Sequence, residues 1–81
     1  MGNKKIDTLD LHGLRHVDAR DIVNKYVDKR IADQIIKPVR IITGKSSAMK
    51  EIVIETCFEY KLKYTVEPHW SNTGYIDVSF I

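Results

Sequence analysis

Apolar and polar residues alternate near the start of the chain: Ile6, Leu9 and Leu11 are apolar, whereas Asp7, Asp10 and His12 are polar. A period close to two predicts a half-buried strand over residues 6–12. The period then changes. From Val17 to Ile31 the apolar positions Ala19, Ile22, Val23, Tyr26, Val27 and Ile31 recur in steps of three and four. With Arg20, Asp21, Lys25, Asp28 and Lys29 on the other side, this stretch predicts an amphipathic helix. Asp18 near its start and Lys29-Arg30 near its end suit the helix dipole. Pro38 closes the next loop, and the β-branched run Val39-Arg40-Ile41-Ile42 predicts a second strand. Thr43-Gly44-Lys45-Ser46-Ser47 is then a turn. Ser46 or Ser47 is the expected N-cap of a second helix, with Met49, Ile52, Val53, Cys57 and Tyr60 on one face. Tyr64 to Glu67 and Tyr75 to Ile81 read as two further strands, joined by the turn-rich stretch Pro68 to Gly74. Met49, Tyr60 and the helix aromatics are expected in the core.

The predicted order is βαβαββ. Each strand–helix–strand unit crosses over right-handed, so both helices are expected on one face of a four-stranded mixed sheet. The last strand, antiparallel to the third, can lie at an edge or between the second and third. Its own alternation leaves one sheet face open, with Ile76, Val78 and Phe80 inward and Tyr75, Asp77 and Ser79 outward. The fold class is therefore α/β, an α+β two-layer sandwich. Residues 1–5 read as a flexible polar lead-in and residues 6–81 as a single domain.

Composition changes this picture little. A chain of 81 residues supports one core. Its 13 Lys+Arg against 11 Asp+Glu leave a net charge of +2, weakly compatible with nucleic acid and far from a histone-like binder. No apolar run is long enough to span a bilayer, and no apolar stretch follows the basic N-terminus to make a secretory leader. The lone Cys57 reads as a reduced, intracellular thiol. The expectation is a cytoplasmic protein with no membrane partner.

Two turns carry candidate chemistry. In Leu9-Asp10-Leu11-His12-Gly13 an acid and an imidazole stand two residues apart, on one face of a strand. Histidine changes charge nearest to neutral pH, so His12 can move a proton or contact phosphate while Asp10 orients it. Gly13 permits a sharp turn with exposed N–H groups. The plainer alternative is an acid and a turn histidine on a solvated face. Thr43-Gly44-Lys45-Ser46-Ser47 resembles a P-loop only superficially, because Val39 stands where that motif needs its first glycine. It remains either a phosphate seat at a helix N-terminus or an ordinary capping turn. Arg15 and Arg40 are candidate phosphate-backbone contacts. His12 and His16 are not arranged as a helical metal pair and His69 is distant, so the metal reading narrows to a divalent cation, Mg or Mn, on Asp10. Trp70, in the His69–Thr73 loop, either stacks on a base or plugs the end of the core.

With Leu-Asp-Leu-His-Gly opening a βαβαββ chain and Ile42-Thr43-Gly44-Lys45 closing the second strand, the sequence resembles the Smr (small MutS-related) domain over residues 6–81. Thr43 and Gly44 match the family's (His/Thr)-Gly-x-Gly motif, with Ser46 in place of its second glycine. Gly74 alone stands for the glycine pair before the last strand. The resemblance implies a fold like the C-terminal domain of a translation initiation factor, with the last strand between the second and third. It also implies nucleic-acid binding, DNA or RNA, and in several members DNA nicking or RNA cleavage, often within larger mismatch-repair-related proteins. This chain is expected to carry the domain nearly alone. The family's acid and histidine correspond to Asp10 and His12, and its glycine loop to Thr43, Gly44 and Lys45. The expected function is an endonuclease that hydrolyses phosphodiester bonds. The alternatives are a non-catalytic nucleic-acid or ribosome-associated binding module and, more remotely, a protein-interaction domain.

Overall fold

Val39 and Ile41 are fully buried while Arg40 and Ile42 keep part of their surface, the alternation expected of a strand whose one face lies against helices. The computed structural model describes residues 7–66 and 74–80. In chain order the elements are β1 (Asp7–Asp10), α1 (His16–Ala32), β2 (Val39–Ile42), α2 (Ser47–Tyr60), β3 (Lys63–Val66) and β4 (Tyr75–Ser79). The expected lead-in, Ile6 and Ile81 of the expected first and last strands, Glu67 and the His69–Thr73 loop with Trp70 lie outside the described residues.

The sheet order is β1-β2-β4-β3. β1 and β2 are parallel, and β4 is antiparallel to both β2 and β3. The last strand thus lies between the second and third, the arrangement that the family resemblance implies. Val39, Ile41, Ile76 and Val78 form one core with Ala19, Val23 and Val27 of α1 and Met49, Ile52, Val53 and Cys57 of α2. Both helices therefore cover the same sheet face. Leu9, on the outermost strand, is half-buried, and Leu11 just beyond it is fully buried.

Several side chains depart from the sequence expectation. Phe58 of α2 is 78% exposed. It follows Cys57 by one residue, about 100° round the helix, and so falls off the face set by Met49, Val53 and Cys57. In α1 the buried stripe is Ala19, Val23, Val27 and Arg30, which leaves Val17, Ile22 and Ile31 exposed. Arg30 is not a surface charge at the end of a helix. It is 6% exposed, and its Nη1 donates to Asp7 Oδ2 at 2.9 Å and to the Tyr26 hydroxyl at 3.2 Å. Asp7 points to the helix face because it shares parity with Leu9, so the buried cation meets a carboxylate across the layer. Both helices end on left-handed residues that are not glycine, Gln34 (φ 58°) and Lys61 (φ 57°). The Leu62 N–H closes the end of α2 on the Cys57 carbonyl at 2.8 Å.

Candidate functional site

Parallel strands deliver the loops that follow them to the same sheet edge. In register Asp10 lies beside Ile42, and the Leu11 N–H donates to the Ile42 carbonyl at 2.8 Å, carrying the ladder one step past β1. The chain then turns. The Leu14 N–H donates to the Leu11 carbonyl at 3.1 Å, and Gly13, third of the four residues, has φ +85°. A positive φ at that position strongly favours glycine. His12 therefore stands at the corner of a turn and not on the strand, whose formal end is Asp10.

The Asp10 carboxylate holds this corner through the backbone. Its Oδ1 accepts the His12 N–H at 3.0 Å, while the His12 Nδ1 lies 3.8 Å from the same oxygen, beyond hydrogen-bond distance. The two side chains are 59% and 70% exposed, open to a ligand and to water. Asp10 thus positions the histidine by fixing its turn.

Gly44 closes the site from the second strand. It has φ +69°, and a Cβ built there would sit 3.9 Å from the Cβ and Cδ2 of His12, so the bare side of the second turn faces the imidazole. Gly74, with φ +82°, backs that turn from β4. Its carbonyl accepts the N–H groups of both Thr43 (2.8 Å) and Gly44 (3.0 Å). Those two donors are used within the fold, and Thr43 is 2% exposed, so this pair shapes the turn. The chain then enters α2. The Ser46 Oγ accepts the Met49 N–H at 3.1 Å, with Ser46 at φ −78° and ψ 122°. Ser46 thus takes the N-cap in a conformation that needs no glycine. The first turn of α2 holds no acidic side chain, so its positive dipole end and the exposed Lys45 face the edge without an acidic side chain in that turn.

The two arginines differ. Arg15 is the N-cap residue of α1, with its side chain 80% exposed and Nε 3.3 Å from Asp18 Oδ2. Arg40 is on the open sheet face, where its guanidinium donates to both oxygens of Asp77 at 2.9 and 3.2 Å and lies 3.9 Å from the Tyr75 ring centroid. His16 opens α1, separate from His12 in the turn before it. Among the described residues no group of three or more His, Cys, Asp or Glu is placed to hold a metal ion, and no helix is long and apolar enough to cross a membrane. A cleft of about 240 Å³ lined by Arg30, Ile31, Ile35, Leu62 and Phe80 includes none of the expected site residues. Burial raises the Cys57 thiol to about 11, which leaves it a poor nucleophile.

The roles of Gly74, Tyr75 and Asp77 escape a reading of the motifs alone. Each acts across strands, and the cross-strand partners follow only once β4 is placed beside β2. The opposite charges at Arg40 and Asp77 are the local signal that could have suggested that pairing.

Fold and site together define a class: a small two-layer α/β domain with an acid–histidine turn facing a glycine turn at one sheet edge. The Smr domain model matches residues 9–79, nearly the whole chain. The chain belongs to the Smr family, whose domains are in general nucleic-acid-binding, nuclease-like modules. No curated protein and no solved structure matches it.

Proposed function

We propose that this Smr domain is an endonuclease, binding DNA or RNA at the edge formed by the two turns and hydrolysing a phosphodiester bond there. The observation that carries the reading is the closeness of His12 to the bare side of Gly44, where a Cβ would stand 3.9 Å from the imidazole Cδ2. It joins a proton-transfer group to a turn that leads into a helix N-terminus. A phosphate at this edge would meet Lys45, Arg15 and the positive end of the α2 dipole, where Ser46 already holds the Met49 and Lys50 N–H groups. Gly13 keeps the His12 corner open.

Hydrolysis adds a water oxygen to phosphorus and breaks the bond to the leaving oxygen. His12 takes the proton of the attacking water or, if it starts protonated, gives one to the leaving oxygen. Asp10 holds the turn on which the imidazole stands. A divalent cation such as Mg or Mn would find the Asp10 carboxylate here. With no group of three acidic or histidine ligands gathered among the described residues, its other ligands would come from water and phosphate, a pattern usual for magnesium.

The second reading, a binding module without turnover, is favoured by the use of the Thr43 and Gly44 N–H groups on Gly74, which leaves fewer donors for transition-state charge. Incubation with supercoiled plasmid and with structured RNA, with and without chelator, separates the two. The endonuclease yields nicked or cut product, and loss of product under chelator assigns the cation. The module yields no product, only an affinity whose salt dependence falls in Lys45→Ala. Absence of both cleavage and salt-dependent binding would reject both readings.

A further inference from the structure

We infer that the open face of the sheet is a stacking subsite for an unpaired base, formed by Arg40 and Tyr75 beside the two-turn edge. The inference rests on the nucleic-acid reading above and names the kind of strand the site takes. Arg40 and Asp77 are direct cross-strand partners, as are Ile42 and Tyr75. The Arg40 guanidinium lies 3.9 Å from the Tyr75 ring centroid, closer than a loose cation–π contact. Asp77 grips it through both carboxylate oxygens, so the plane of the guanidinium is fixed before any ligand arrives. About a third of the Arg40 side chain remains exposed.

Charge argues for a base at this place and against a phosphate. Asp77 already offsets the arginine, and its carboxylate would repel a phosphate brought alongside. A flat, fixed guanidinium–aromatic pair is instead a surface on which nucleobases stack. Position ties it to the reaction. Asp10, Ile42 and Tyr75 form one row across β1, β2 and β4, so the platform begins two strand spacings, roughly 10 Å, from the Asp10 turn. A strand with its phosphate at His12 would lay a neighbouring base over this face. In a duplex the base faces are covered by their neighbours, so the subsite selects single-stranded or unpaired nucleic acid.

The test is equilibrium binding of labelled single-stranded DNA, single-stranded RNA and a blunt duplex of the same sequence, across a range of salt. The subsite predicts tighter binding of the single strands. It also predicts that Tyr75→Ala and Arg40→Lys each weaken single-strand binding about ten-fold without changing its salt slope, while Tyr75→Phe retains it. Arg40→Lys keeps the charge and removes the plane, so it serves even if Tyr75→Ala does not fold. The DNA and RNA arms identify which strand the platform takes. Salt-dependent binding that ignores Tyr75→Ala and Arg40→Lys, or equal affinity for the duplex, would overturn the subsite alone. Failure of the wild type to bind any of the three would overturn it together with the nucleic-acid reading.

Discussion

At the scale of single residues, two groups report on how the fold treats charge. The hydrogen bond from Arg30, aided by the charges of Lys37 and Arg30, holds the Asp7 carboxyl below its ordinary value. Because the folded value is depressed, the contribution of Asp7 is fully present above the ordinary value of 3.8 and is lost as pH falls through the lowered one. Asp7→Asn is therefore expected to lower Tm at neutral pH, with the gap to wild type closing below about pH 4. Thermal unfolding followed from pH 7 to pH 2 checks this, and a gap that stays constant would contradict it. Cys57 shows the opposite sign. Burial raises its thiol to about 11, so the folded protein should resist iodoacetamide at pH 8 and react readily once unfolded. Mass spectrometry of native and urea-treated samples reads the difference.

At the scale of elements, the N-terminus of α2 shows how a departure from a motif can be neutral to the fold. Ser46 stands where the family motif has glycine, yet its φ of −78° is open to any residue, and its hydroxyl caps Met49. Ser46→Ala is expected to cost about 1 kcal/mol in urea unfolding, and Ser46→Gly only a few tenths. Equal losses would show that the cap contributes nothing. The same helix marks how far the elements were legible in the sequence. Its period and capping serine placed it almost to the residue, because both signals are local. Periodicity did not decide which of several neighbouring apolar residues face the sheet. Phe58, Ile22 and Ile31 were expected inward and are exposed, while Arg30 is buried. That choice is made by the second layer: the sheet accepts a stripe only as wide as its contact, and Asp7 on that face draws in a cation. The candidate site divides in the same way. Asp10, His12 and Gly13 can be read along the chain, whereas the clasp of Gly74 on the second turn exists only after β4 has entered the sheet.

At the scale of the whole molecule, the sheet order joins these pieces. Parallel β1 and β2 send the acid–histidine turn and the glycine turn to one edge, and β4 between β2 and β3 backs the second turn with Gly74. Helices on one face leave Arg40, Tyr75 and Asp77 on the other, so the edge and the open face are continuous. The proposed reaction edge and the proposed stacking face are thus neighbouring surfaces in a chain of 81 residues. The proposed function requires that His12 perform chemistry on a bound strand and do more than help to hold it. The most direct measurement is cleavage and binding of the same nucleic acid by wild type and by His12→Ala. The substitution is expected to lower the cleavage rate by about 10²-fold or more, the scale of a lost general acid or base, while affinity changes by less than about three-fold. Cleavage that persists in His12→Ala, or a loss of cleavage matched by an equal loss of binding, would contradict it.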